Sequence, residues 1–385
     1  MKPPRINRLQ IRNFKAIRNS GGLKLTPLTV LVGNNGSGKS SVIEALETLQ
    51  TFVGEDLAAA MQMWKGLEHI RNMSGRPRKA GKRDLKPSKR PIQLNLQGNT
   101  GSEKFWAETA WNERFQTNEI FIEEEKVTIS SSKWTRGKDG RVRVAGGAGT
   151  DPWPTPVGAT KSLLAEFLGS FIGKWQFLTL WPQSIGDPKP RTRTGGWIRL
   201  SKDGGNIAEY FLDIRNRDIG AFNGIVEALK YILPFAEDIQ PAITSELERT
   251  DYLQLAEADF TIPGWLLSTG TLRILALLAT LRHPDPPPLL VVEEIENGLD
   301  PRTIHLLVEE IQYAVEAGRT QLILATHSPY LLDLLPLSSI VLVDRAEGQP
   351  KFTRPGDEKE VRQWARHFAP GRLYAMGRLN RKAGE

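Results

Sequence analysis

Gly33-Asn34-Asn35-Gly36-Ser37-Gly38-Lys39-Ser40 fills every fixed position of the pattern G-x-x-x-x-G-K-[ST]. Just before it, Leu28 to Val32 is apolar and rich in β-branched residues, which suits a buried strand. Just after it, Val42, Ile43, Leu46 and Leu49 recur at helical spacing. Strand, glycine-rich turn and helix are the context in which this pattern works as a phosphate cradle. Glycines let successive backbone N–H groups turn inward around phosphate oxygens, and the helix adds its positive N-terminal end. Lys39 is then expected to reach the β- and γ-phosphates of a nucleotide, and Ser40 to ligate Mg²⁺. Gly33, Asn34, Asn35, Gly36, Ser37, Gly38 and Ser41 complete the expected ATP-binding set.

Working outward, Ile6, Leu9, Ile11 and Phe14 read as a first strand segment. The matching rhythm returns only at 262–345. There a helix (269–282) and the Pro-rich turn His283–Pro288 precede a strand, Leu289–Glu293. A helix at 302–317 and strands at Gln321–Ala325 and Ser339–Val343 follow. Strands alternating with helices predict a mostly parallel sheet covered on both faces. The expected fold class is therefore α/β, a split P-loop NTPase core formed by 1–53 and 262–356. Residues 54–261 are an insertion. It opens with short strand candidates at Ile92–Leu96, Phe105–Trp111, Ile120–Ile129 and Arg141–Val144, an antiparallel β meander. Helical patterns at 160–173, 205–217 and 219–233 then predict an inserted helical lobe. Residues 357–385 read as a C-terminal helical tail.

Leu289-Leu290-Val291-Val292-Glu293-Glu294 is an apolar strand ending in two acids. Neighbouring strand residues point to opposite faces, so two carboxylates of distinct function can emerge side by side. At the carboxyl end of a parallel strand they face a nucleotide crevice. Glu293 is expected to hold Mg²⁺, mostly through water, and Glu294 to orient or deprotonate the attacking water.

Composition narrows the class. Of 385 residues, 39% are hydrophobic and 25% charged, as in a globular protein. No apolar run approaches the ~18 residues that span a bilayer, and MKPPRINRLQ has no apolar stretch behind it, so neither membrane nor export is expected. Cysteine is absent, which removes disulfides and thiol chemistry. The cytoplasm is the expected location. The net charge of +7 suits a polyanionic partner. Residues 71–90 concentrate it: Arg71, Arg76, Arg78, Lys79, Lys82, Arg83, Lys86, Lys89 and Arg90 face one acid, Asp84. Such a run reads either as a solvated loop or as a phosphate-contacting loop for nucleic acid. The tryptophans are scattered and suit packing, and the histidines form no ligand cluster.

Glu293-Glu294-Ile295-Glu296-Asn297-Gly298-Leu299-Asp300-Pro301 resembles the Walker B and D-loop of ABC-type ATPases. Ala325-Thr326-His327-Ser328-Pro329 resembles their switch-histidine segment, and Leu267-Ser268-Thr269-Gly270-Thr271-Leu272-Arg273 a degenerate signature. With Ile11-Arg12-Asn13-Phe14-Lys15, the set is similar to the SMC/RecF-like branch, in particular to compact, arm-less bacterial ATPases. Their middle region carries an element much like Gly205-Asn206-Ile207-Ala208.

The resemblance implies ATP and Mg²⁺ as cofactors. It implies a role for His327 in holding the γ-phosphate and lytic water, and an interface position for Asp300. Gln183, in Trp181-Pro182-Gln183, is a candidate Q-loop residue and Mg²⁺ ligand. Ser268 and Gly270 open a helix, so they can bind a γ-phosphate, in the family that of the partner's nucleotide. A head-to-tail homodimer follows. Ser268 also reads as a simple helix N-cap. Thr269 and Thr271 depart from the family's Gly and Gln.

Three functions fit the resemblance. The first is an ATP-state switch regulating a separately encoded effector, such as a nuclease, in a bacterial defence or toxin-like module. The second is a RecF-like clamp that grips double-stranded DNA through the basic run. The third is a scaffold that binds ATP without hydrolysing it, against which the paired glutamates and His327 argue. A transporter ATPase is disfavoured, because that class has a stricter signature and membrane partners.

Overall fold

The computed structural model describes residues 3–73, 90–114, 117–146, 158, 160–190, 198–244 and 250–379. The chain divides into two compact units, Met1–Trp175 with Ile340–Glu358, and Gln176–Ser339 with Lys359–Glu385.

In the first unit the opening strand Arg5–Phe14 turns Ile6, Leu9, Ile11 and Phe14 inward. It pairs antiparallel with Ile92–Asn99, which continues through Lys104–Glu113 and Ile120–Ile129. Ser132–Arg136 and Val142–Ala145 extend this antiparallel sheet. Ser132–Arg136 is absent from the sequence reading because its polar residues hide the alternation that marks a strand. The inner face packs on the helix after the P-loop, with the Phe52 and Trp111 rings 5.0 Å apart, edge to face. A second helix, Leu164–Ile172, sets Phe171 against Phe105 and Phe167 against Trp134.

Beneath that helix lies a charged pair taken wholly out of water. Glu125 and Arg136 have side chains 0% and 1% exposed, with Nη1 2.8 Å from Oε2. The Ser162 hydroxyl and the Leu163 N–H also donate to the carboxylate. Arg136 donates to the Lys161 and Gly158 carbonyls.

The P-loop strand, Leu28–Val32, is buried at every position, as a strand covered on both faces must be. It pairs in parallel with Ile340–Ala346, which returns antiparallel as Gln349–Thr353.

In the second unit Gln176–Leu178, Leu289–Glu293 and Gln321–Thr326 run parallel. Helices Thr269–Leu281 and Pro301–Glu316 belong to the same unit, their apolar faces buried. Ile207–Arg217 and Ile219–Ile232 are helices, the second capped by Asp218, which accepts from the Ala221 N–H at 2.8 Å. Asp238–Ile243, Thr250–Glu257 and Phe260–Pro263 form a separate antiparallel sheet. Helices Lys359–Trp364 and Pro370–Ala375 close the unit. The second approaches Pro329–Asp333 so closely that a Cβ on Gly371 would lie 1.8 Å from the Pro329 carbonyl. Among the described residues no helix is long and apolar enough to cross a membrane, and no cluster of acids and histidines could hold a metal by itself.

Candidate functional site

The P-loop sits between the buried strand and the helix Lys39–Gly54. Its glycines answer to geometry. A Cβ on Gly33 would lie 2.1 Å from the backbone carbonyl of Val343, a clash no rotamer relieves. Gly38 has φ 115°, a conformation that only glycine adopts readily, and a Cβ there would meet Pro350 at 2.6 Å. Gly38 is also the helix N-cap, with no side-chain cap and no acid in the first turn. With neither cap nor acid there, the helix start is a place where the dipole favours an anion. The Lys39 ammonium folds over the loop, donating to the carbonyls of Gly33 at 2.6 Å and Asn34 at 3.2 Å. Asn34, Asn35, Gly36 and Ser40 are exposed, whereas Ser37 and Ser41 are buried. Ser37 is 4% exposed, and its buried hydroxyl has no hydrogen-bond partner among the described residues. This cradle fits a phosphate chain. Gly33→Ala should cost roughly 1–3 kcal/mol through the forced backbone shift, and should reduce the thermal stabilisation given by ATP. Unchanged stability and unchanged ATP response would mean that the loop is not held by the Val343 strand.

In the second unit the carboxyl edge of the parallel strands gathers the other candidates. Glu293 is the last strand residue, in register with Ala325. The sequence expected its neighbour to emerge by simple alternation along the strand. Instead the strand stops, and Glu294 takes φ 49°, a left-handed conformation uncommon for a residue with a Cβ. Its N–H still donates to the Ala325 carbonyl at 2.8 Å. The two carboxylates therefore diverge through a backbone turn. Asn297 Nδ2 donates to Glu294 Oε2 at 2.5 Å, and His327 Nδ1 lies 3.8 Å from Oε1. Arg273 donates to the Glu294 carbonyl at 3.3 Å. Burial lowers the pKa of this guanidinium, opposed by the charges of Glu294 and Glu296. Behind His327 the Thr326 hydroxyl donates to the buried Glu296 carboxylate and accepts from the Ser328 N–H.

Asn297, Arg273 and Glu296 carry no role that their place in the motifs assigns. The signal for Asn297 is its place three residues past Glu294, where a tight turn brings the two side chains together.

Ser268 N-caps the helix Thr269–Leu281, accepting from the Thr271 N–H at 3.1 Å, and its hydroxyl meets that of Thr271 at 2.9 Å. Thr271 thus engages the cap itself. A Cβ on Gly270 would lie 2.6 Å from the Gly298 carbonyl, so the helix start rests directly on the turn after Glu294. Asp300 caps the next helix through the N–H and hydroxyl of Thr303, which hold its carboxyl below the usual range. Gln183 is exposed in the short helix Pro182–Gly186, just past Gln176–Leu178. Of the basic run, Arg76 to Lys89 lie outside the described residues, and Arg90 is exposed. Arg71, counted with that run in the sequence, is 4% exposed and paired with Glu113 at 3.0 Å. It is a packing residue.

Two family models match parts of the chain. One, described as an AAA ATPase domain, covers residues 5–130. The other, described as an AAA domain, putative AbiEii toxin, type IV TA system, covers 201–333. No curated protein matches in sequence. Among solved structures, an SMC head bound to the C-terminal winged-helix domain of ScpA is 14% identical, with TM-score 0.53, over 91% of this chain and 98% of that one. The SMC head with an extended coiled coil from Pyrococcus furiosus, bound to the C-terminal domain of ScpA, is 13% identical, with TM-score 0.54, over 94% and 100%. These likenesses establish the fold, an α/β P-loop NTPase fold of the SMC-head kind.

Proposed function

We propose that this SMC/ABC-like AAA ATPase hydrolyses the terminal phosphoanhydride of ATP with Mg²⁺, as a head-to-tail homodimer. Its nucleotide state would regulate a separately encoded effector in a defence or toxin-like module. The observation that carries the hydrolytic part is Glu294, held in a left-handed turn with Asn297 and His327 at its two carboxylate oxygens. Strain of this kind persists where a side chain must be aimed.

The roles follow from the chemistry of each group. The positive end of the helix and Lys39 bind the phosphates. Ser40, Glu293 and Gln183 offer hydroxyl, carboxylate and amide oxygens, a donor set that suits Mg²⁺. When bound, the cation neutralises charge that develops on the phosphate oxygens. Glu294 accepts a proton from the attacking water or orients it, and His327 steadies the same water and the γ-phosphate. Ser268 and Gly270 serve the partner's nucleotide, with Asp300 at the interface. The regulatory part is supported by the toxin-system description of the family matched over 201–333.

A second reading, a clamp on duplex DNA in repair, is supported by the net charge of +7. It predicts turnover stimulated by DNA and binding that weakens steeply with salt.

The test is Mg²⁺-dependent ATP turnover with and without duplex DNA, together with sedimentation of Glu294→Gln with and without ATP. ATP-dependent dimers are expected. A variant that stays monomeric at saturating ATP sinks the head-to-tail assembly. Lys39→Ala should weaken binding of a fluorescent ATP analogue about tenfold or more, the value of one charge-assisted contact. Unaltered affinity would remove Lys39 from the site.

A further inference from the structure

The Gly205-Asn206-Ile207-Ala208 element has so far no role, yet the residues just before it lie against the segment that carries Gln183. The parallel ladder of Gln176–Leu178 ends at the pair Leu178–Val292. Backbone N–H groups beyond that point need other acceptors. Residues 199–203 supply them. The Gln176 side-chain amide donates to the Leu200 carbonyl. The Thr179 N–H donates to Lys202 at 2.8 Å and the Trp181 N–H to Asp203 at 3.1 Å.

This template is itself tied together. Asn206 Oδ1 accepts from the Ser201 N–H at 2.7 Å, and Asn206 Nδ2 donates to the Arg199 carbonyl at 2.8 Å. Asp203 Oδ1 accepts from the Ser201 hydroxyl at 2.7 Å and the Gly205 N–H at 3.0 Å. The same carboxylate accepts from the hydroxyl of Ser184, the residue next to Gln183. Gly204 lets the two segments meet: at φ 80°, a Cβ there would lie 2.6 Å from Ile185. A helix of 5 residues has little rigidity of its own, so this template decides where Gln183 stands.

We infer that Asp203 and Asn206 are positioning residues for Gln183, fixing the segment from which its amide oxygen is offered to the cation that accompanies the nucleotide. The inference rests on the proposed role of Gln183 as an Mg²⁺ ligand. A merely structural turn would change stability and leave cation dependence alone.

The experiment uses the full chain and follows binding of a fluorescent ATP analogue as MgCl₂ is raised, with thermal unfolding alongside. Gln183→Ala should raise the Mg²⁺ midpoint roughly tenfold while Mg²⁺-free binding of the analogue is unchanged. Asp203→Ala, Asn206→Ala and Ser184→Ala should raise it about threefold or more, as groups that orient a ligand do. Asp203→Ala combined with Gln183→Ala should be no worse than Gln183→Ala alone, because both act through one side chain. Ser184→Ala deletes a single hydroxyl and keeps the test available should the other variants unfold. If Gln183→Ala shifts the midpoint and Ser184→Ala and Asp203→Ala do not, the positioning role is overturned alone. Multiplying effects in the double variant overturn it too. If Gln183→Ala has no effect in a protein that binds the analogue, the ligand role of Gln183 falls, and the inference with it.

Discussion

Glu294→Gln should leave ATP binding intact and cut turnover by about 10²–10⁴-fold, the usual contribution of a positioned general base. The substitution isolates chemistry from structure. Gln is as long as Glu, meets the same left-handed backbone at φ 49°, and can still accept from Asn297 through its amide oxygen. What it loses is the charge and the capacity to take a proton. A companion variant separates strain from catalysis. Glu294→Gly should be as inactive yet more stable, by up to ~1 kcal/mol, because glycine tolerates a positive φ. Equal turnover in Glu294→Gln and the unmodified protein would remove this residue from the reaction. A Glu294→Gly protein less stable than its parent would show that the carboxylate contacts outweigh the backbone cost.

Arg136→Ala should destabilise the first unit by roughly 3–5 kcal/mol, the cost of stranding one member of a buried ion pair. Burial pushes the Glu125 carboxyl above its ordinary value of 4.5, opposed by the Leu163 N–H and by Arg136. Removing Arg136 takes away an opposing influence, so the folded carboxyl moves higher still. A carboxyl with a raised folded pKa favours the fold while it is protonated and loses that advantage as pH rises. The deficit of Arg136→Ala should therefore be smaller near the ordinary carboxylate value and larger at neutral pH. Denaturant unfolding at the two pH values measures it. A deficit that shrinks as pH rises would show that the guanidinium matters through packing rather than charge.

How much of this was legible in advance depended on whether a feature was contiguous. The P-loop could be read because eight neighbouring residues carry it, and Leu28–Val32 with its following helix give its context. The helices at 207–217 and 219–232 announced themselves through apolar spacing. The sheet of Asp238–Ile243, Thr250–Glu257 and Phe260–Pro263 did not. It contains Pro241 and Pro263 and several acids, and its identity comes from pairing, which sequence periodicity does not record. At the site, residue types were visible but directions were not. Nothing local says that Glu294 leaves its strand at a positive φ. That follows from the Ala325 carbonyl that takes its N–H and from the turn to Asn297. The degenerate signature shows the same limit, since the pairing of Thr271 with Ser268 is a contact rather than a pattern.

The closeness of Gly33 to the Val343 carbonyl has a consequence for how the protein is made. The first glycine of the cradle is shaped by a strand, Ile340–Ala346, that is synthesised long after it. The same late segment is tied to the start of the chain by the Gln349 side chain, which accepts from the Arg18 N–H across 331 positions. At elongation rates of about 5–20 residues per second, that interval is roughly 15–65 s. From Ser40 onward the nascent chain carries the complete phosphate-binding motif without the edge that moulds it. A chain truncated before Ile340 would keep the motif and lose the mould. The cradle thus takes its final shape only once translation has run past Ile340–Ala346.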